Sequence, residues 1–182
     1  MPSGGDRALP IQIRRAVTDD VANLVRLVNS AYRGETATRG WTHEAALLKG
    51  QRIDADMLLD MLGDPRHTLL AGEDGEGLAG CVDVVAESGF GYLGLLTVAP
   101  DRQSRTYGKA LLAAGEAVAR DLGLRRIRMT VISQRFELIA WYERRGYART
   151  GARAPFPLDD PRFGVPLQDD LDFVVLEKPL PA

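Results

Sequence analysis

The sequence predicts an α/β (α+β) domain: a mixed, mostly antiparallel sheet of six to seven strands flanked by helices. Three observations carry this. Residues 67–98 alternate in period two around two glycine turns, as a three-stranded antiparallel meander does. Residues 107–123 switch to a period near 3.6 and stop at Gly123. The remaining segments fall in the order β-α-α-β-β-β-α-β-α-β-β, with no repeat or linker between them.

The elements follow one by one. "IQIRR" (11–15) alternates as a half-buried strand. Thr18 is a candidate cap for the next helix, with Asp19 and Asp20 in its first turn and Val21, Leu24, Val25 and Val28 as its apolar stripe. Residues 33–53 have no clean period beyond a short helical piece near 43–49, and "DADMLLDMLGD" (54–64) is a short amphipathic helix. The meander comprises "HTLLAGE", "LAGCVDVVAE" and "YLGLLTV"; Gly89 and Gly91 make its second turn and Gly94 relieves a bend. Leu111, Leu112, Gly115, Val118, Ala119 and Leu122 line one face of the 107–123 helix. "RRIRMTVI" is a strand, "FELIAWYERRG" a short helix closed by Gly146, and "YARTGARA" another strand. A proline-broken loop (155–170) leads to "LDFVVLEK", the last strand.

At 182 residues with 45% apolar side chains, the chain suffices for one core, so a single domain is expected over 10–180. Residues 1–9 read as a disordered N-terminal tail without the apolar stretch of a signal peptide. A net charge of −2 draws the chain to neither nucleic acid nor anionic membrane. Cys81 stands alone, so no internal disulfide forms, and two histidines are too few for a zinc cluster; no metal is expected. A soluble, cytoplasmic protein is the resulting expectation.

Two glycine patterns suggest phosphate loops, and both fail. Gly89-x-Gly91-x-x-Gly94 spells the dinucleotide fingerprint, but a strand rather than a helix follows it, and no acid stands about twenty residues on for a ribose. Gly108-Lys109 resembles the end of a triphosphate loop, but Gln103 replaces its first glycine and Ala110 its metal-binding hydroxyl. What survives is a strand, the polar turn "APDRQSRTYG" and a helix, an arrangement that turns free amides and a helix dipole toward an anion. Arg102, Arg105 and Lys109 add positive charge, although an ordinary solvated turn reads the same way.

"LTVAPDRQSRTYGKALL" (96–112), followed by "ELIAWYERRGYARTG" (137–151), resembles the GNAT superfamily of N-acetyltransferases. The resemblance implies the acyl-CoA N-acyltransferase fold and acetyl-CoA as co-substrate. The family's pyrophosphate loop, Q/R-x-x-G-x-G/A, falls on Gln103, Ser104, Arg105, Thr106, Tyr107 and Gly108, with Lys109 beside it; Thr106 replaces the first glycine. It also implies a bulge in "YLGLLTV" that splays this strand from "RRIRMTV", so that Leu96, Thr97 and Val98 pair with the pantetheine arm and one amide faces the thioester oxygen. In the second block the family's catalytic tyrosine is Tyr142, followed by Gly146 and Tyr147, while Arg135 stands where the family has asparagine and is carried over as a cofactor contact.

The activity so implied is direct transfer of an acetyl group to a primary amine of a small molecule or peptide. Deprotonating a lysine-like amine of pKa ~10.4 at neutral pH costs about 4 kcal/mol, so a base or water chain is needed; Glu35, Glu44 and Glu87 are the candidates. The acceptor region implied by the resemblance spans Tyr32–Arg52 and Phe156–Asp170, with Tyr32, Glu35 and Trp41 foremost and Arg33, Arg52, Asp159, Asp160, Arg162, Asp169 and Asp170 nearby. Aromatic walls with both charge signs suit a small zwitterionic amine, although a solvated acidic loop reads equally from 155–170. A homodimer through the last strands is a family habit. The rival expectation is a non-catalytic acyl-CoA-binding sensor or a dimerising interaction domain of the same fold.

Overall fold

The computed structural model describes residues 10–182, apart from the side chains of Glu35 and Ser104. The expected tail at 1–9 lies outside the described residues. The elements are β1 (Gln12–Arg15), α1 (Val21–Tyr32), α2 (Gly34–Ala37), β2 (Leu48–Lys49), α3 (Ala55–Gly63), β3 (His67–Asp74), β4 (Gly77–Glu87), β5 (Phe90–Val98), α4 (Tyr107–Asp121), β6 (Arg126–Ile132), α5 (Phe136–Glu143), β7 (Ala148–Pro155), β8 (Val165–Pro166) and β9 (Asp172–Pro179).

Seven strands form one sheet in the order β1-β3-β4-β5-β6-β9-β7. Every neighbouring pair is antiparallel except β5 and β6, which run parallel because α4 returns the chain to the same end. Alternation along β4 divides the interior: Val82 and Val84 face a core with Leu111, Ile127, Met129 and Ile139, while Cys81 faces one with Leu24, Val28, Leu58 and Leu69. Helices α4 and α5 cover the first face, α1 and α3 the second. Cys81 is fully buried and free. Among the described residues no helix is long and apolar enough to cross a membrane.

The structure departs from the sequence reading in local ways. Thr18 does not cap α1; it lies in a 3-10 turn (Thr18–Asp20), and the carboxylate of Asp20 accepts from the amide of Val17 at 2.8 Å instead. The segment near 43–49 is not helical: a turn leads into β2, which pairs with β8 in a separate two-stranded sheet. Gly91 is a strand residue paired with Ala86, and the left-handed residue at the bend is Leu95 (φ 55°), not Gly94. Leu122 is half exposed, whereas Glu116 is buried in α4, where it accepts from Tyr147 Oη at 3.0 Å and Lys178 Nζ at 2.9 Å. Burying that carboxylate is tolerable because two donors replace its water.

Candidate active site

The site begins where the sheet opens. Asp83 pairs with Gly94 and Cys81 with Thr97, so Leu95 and Leu96 together face the single residue Val82. That extra residue is a bulge, and the positive φ of Leu95 marks its bend. On the other side β5 pairs with β6 only at Gly91–Ile127 and Tyr92–Arg128. Tyr92 Oη and Thr130 Oγ1 share a 2.6 Å hydrogen bond near this vertex, beyond which the strands part. The splay and the bulge expected in "YLGLLTV" are therefore both present.

The gap opens into two cavities that meet at Tyr32, Leu96, Arg135, Leu138 and Tyr142. The first, about 260 Å³, is lined by Leu96, Thr97 and Val98 from β5, by Gln103, Thr106, Gly108 and Lys109 from the turn into α4, and by Trp41, Thr42, Trp141 and Arg145 opposite. Pro100 starts a 3-10 turn (Pro100–Arg105), as its fixed φ favours, and Thr106 follows in the left-handed conformation (φ 66°) at the N-terminus of α4. A residue with a Cβ thus adopts the geometry that a glycine there would take freely.

Two expected contacts of this turn point elsewhere. Arg105 Nη1 pairs with Glu76 at 2.9 Å, and Arg102 Nη1 with Asp74 at 2.9 Å, so the β3–β4 turn neutralises both arginines. Tyr107 is buried and donates to Asp74 Oδ2 at 3.1 Å. Neither Arg105 nor Tyr107 lines the cavity. Its cations are Lys109, which makes no ion pair among the described residues, Arg145, whose guanidinium carbon lies 3.7 Å from the centre of the Trp141 ring, and Arg135, where the two cavities meet. Arg145 was missed in the sequence because its only signal is a place three residues beyond Tyr142, just past the end of α5.

Gln103 is a latch rather than a free side chain. Its Oε1 accepts from the Trp41 amide at 2.9 Å and its Nε2 donates to the Val98 carbonyl at 3.3 Å. Trp41, 44% exposed, tilts against Trp141 at 6.4 Å. Tyr142 is buried, edge-on to Trp141 and to Tyr147. Its hydroxyl makes no hydrogen bond among the described residues, and burial pushes its phenol well above the ordinary value. Tyr32 Oη donates to the Leu96 carbonyl at 2.7 Å, and burial raises that phenol too.

The second cavity, about 210 Å³, lies between the strand gap and the segments 32–52 and 156–163. Tyr92, Phe156, Phe163 and Phe173 give it aromatic walls. Glu44 bridges two arginines there: Oε2 accepts Nε and Nη2 of Arg33 at 3.0 and 2.8 Å, and Oε1 accepts Nη1 of Arg135 at 3.1 Å. Arg135 Nη2 also donates to Thr42 Oγ1 at 2.7 Å. Arg33 reaches Glu44 across Gly164, where a Cβ would collide with Nη1 and φ is 97°.

Several candidates fall away. Glu44 has both oxygens committed to arginines, and Glu87 ends β4 at the far hairpin. Asp160 pairs with Arg162 at 2.6 Å, and Asp159, Asp160, Asp169 and Asp170 line neither cavity. In the loop 155–170 Phe156 is buried and Phe163, though partly exposed, lines the second cavity, while Asp159, Asp169 and Asp170 face solvent. The side chains of Glu35 and Ser104 lie outside the described part.

A model of the "Acetyltransferase (GNAT) family" matches residues 27–147, and the chain belongs to that family. No curated protein sequence matches it. The fold is that of several solved structures. The ribosomal-protein-S18-alanine N-acetyltransferase of Escherichia coli superposes with a TM-score of 0.68 at 15% identity, covering 95% of this chain and 96% of that one. The yncA protein of Salmonella typhimurium, solved with its cofactor acetyl-CoA, gives 0.69 at 21%, covering 94% of each chain. The PaiA N-acetyltransferase of Thermoplasma acidophilum, in complex with coenzyme A, gives 0.67 at 17%, covering 94% and 99%.

Proposed function

We propose that this acetyltransferase uses acetyl-CoA as co-substrate and moves the acetyl group directly to a primary amine of a small molecule or peptide. The observation that carries the reading is the parting of β5 from β6 beyond Tyr92, beside a bulge and above the turn into α4. An extended arm fits such a gap as an added strand does. Its lining suits the group: Leu96, Val98 and Leu138 are apolar where an aliphatic chain would lie, and Lys109 and Arg145 are cationic where phosphates would end.

When bound, acetyl-CoA supplies a thioester whose C–S bond breaks as the amine nitrogen bonds to its carbonyl carbon. The protein's part is positioning and charge. A β5 amide at the bulge, among Leu96, Thr97 and Val98, donates to the developing oxyanion, a contribution of roughly 3–4 kcal/mol. The turn from Gln103 through Ser104, Arg105, Thr106 and Tyr107 to Gly108 presents backbone amides and the α4 dipole to the diphosphate. Arg105 and Tyr107 serve through backbone alone. Tyr142 keeps its proton and hydrogen-bonds the departing thiolate. Since its raised pKa makes full proton donation uphill, the ammonium formed on attack supplies the proton. Tyr32 and Trp41 border the acceptor, and Arg135 is held between the two cavities.

The edge strand β7, exposed along nearly its whole length, supports a homodimer, and the free thiol of Cys81 supports a cytoplasmic location. Arg135, locked by Glu44 at the family's asparagine position, is the observation on which a non-catalytic acyl-CoA sensor would rest.

Thermal shift with acetyl-CoA, CoA, NAD and ATP tests the reading, with acetylated amines followed by mass spectrometry. A ligand at a hundred times its Kd stabilises the fold by about 2.7 kcal/mol. Stabilisation by acetyl-CoA with product formation is the expected result. Binding without turnover across an amine panel would favour the sensor, and stabilisation by NAD alone would overturn the reading.

A further inference from the structure

The second cavity is cationic. Arg33, Arg52 and Arg135 line it against one carboxylate, Glu44, so three positive charges meet one negative. Glu44 is shared by Arg33 and Arg135. Even so, Arg135 Nε has no partner, although the side chain is only 9% exposed. Arg52 makes no ion pair among the described residues; its guanidinium carbon stands 5.6 Å from the centre of the Tyr32 ring. Arg135 lies at the same distance from that ring, so two guanidinium groups flank Tyr32. Tyr32 in turn donates to Leu96 at the bulge, so both charges lie within a small molecule's length of the reacting centre. Uncompensated cations in an aromatic cavity are costly to bury, and a ligand anion would offset that cost.

On the transferase reading, we infer that the acceptor amine carries its own anionic group, a carboxylate or an acid of equal charge, on a flat apolar body. The anion seats on Arg52, with the charge of Arg135 beside it, and the body lies between the aromatic walls. Polycationic acceptors are excluded, because each further ammonium would meet the arginines as a like charge. The same field favours the neutral form of the amine over its ammonium. It thereby eases deprotonation in a cavity whose one carboxylate is already committed.

Matched acceptors test this: phenylalanine against phenylalaninamide, and tryptophan against tryptophanamide, with acetyl-CoA as donor and kcat/KM read by mass spectrometry. An amide lowers the basicity of the neighbouring amine, so basicity alone favours the amides. The charged carboxylates are expected to win by roughly 10–100-fold, as a charge-assisted contact gives. Arg52→Gln should bring the ratio near one while the thermal shift with acetyl-CoA persists, since Arg52 does not line the first cavity. Amides equal to or better than acids, no turnover of either member while acetyl-CoA binds, or an unchanged ratio in Arg52→Gln would overturn the inference and leave the cofactor reading standing. Absence of any shift with acetyl-CoA would overturn the cofactor reading itself.

Discussion

The hydroxyl of Tyr32 and the carbonyl oxygen of Leu96 are 2.7 Å apart, and this hydrogen bond ties the end of α1 to the bulge in β5. One side chain thus sets the strand bend, stands between Arg52 and Arg135, and borders both cavities. Tyr32→Phe removes the donor and keeps the ring. The expected loss of stability is about 1 kcal/mol, or about 2–4 °C in Tm. Because the bulge amide is released as well, kcat should fall more than KM rises. Denaturation and steady-state kinetics on the same preparation check this.

Thr106 adopts a left-handed conformation that a β-branched residue rarely takes. Thr106→Gly should stabilise the protein by roughly 0.5–1 kcal/mol, the relief of strain exceeding the added chain entropy. It should also tighten coenzyme A binding by clearing the Cβ from the amides. Calorimetric titration and urea denaturation decide; a weaker complex would show that the threonine hydroxyl itself serves the phosphate.

Tyr142→Phe should lower kcat by about 10–100-fold, the worth of a hydrogen bond to the charged departing thiolate. Its hydroxyl has no protein partner among the described residues, so stability at pH 7 should hardly change. Alkaline stability behaves differently. Burial raises the phenol above its ordinary value of 10.0, so its share of stability is complete below pH 10 and is lost as pH rises through the folded value. Wild-type stability should therefore fall above pH 10 by about 1 kcal/mol per pH unit for this phenol, and Tyr142→Phe should flatten the decline. Urea denaturation from pH 8 to 11 reads the difference.

Glu44→Gln leaves Arg33 and Arg135 without their shared carboxylate in a site from which solvent is largely excluded. Breaking a buried pair from one side costs about 3–5 kcal/mol, so a Tm drop on the order of 10 °C is expected. A change of less than about 1 kcal/mol, the range of exposed ion pairs, would show that water reaches the arginines freely.

The sheet was legible in the chain because its signals are local: period two over 67–98 and a clean helix after Tyr107. The site was legible only in part. Tyr142 and Leu96–Val98 follow from motif position along a strand and a helix, and both reach the first cavity. Arg105 and Tyr107 do not, because Asp74 and Glu76, about thirty residues earlier, are brought beside them by the β3–β4 hairpin, a long-range event without local period. The acids of 155–170 misled for a related reason. A proline-rich loop has no alternation to say which side chains face inward, and its direction is set by the two-residue pairing of β8 with β2.

The protein's single sulfhydryl will stay silent in colorimetric assays of coenzyme A release. Cys81 is shielded between the sheet and α1, and burial pushes its thiol up to about 12, so almost none is ionised at the pH where disulfide reagents work. Absorbance in a continuous dye assay will therefore count turnovers alone, and reaction of the protein itself with the dye would report that the fold has opened.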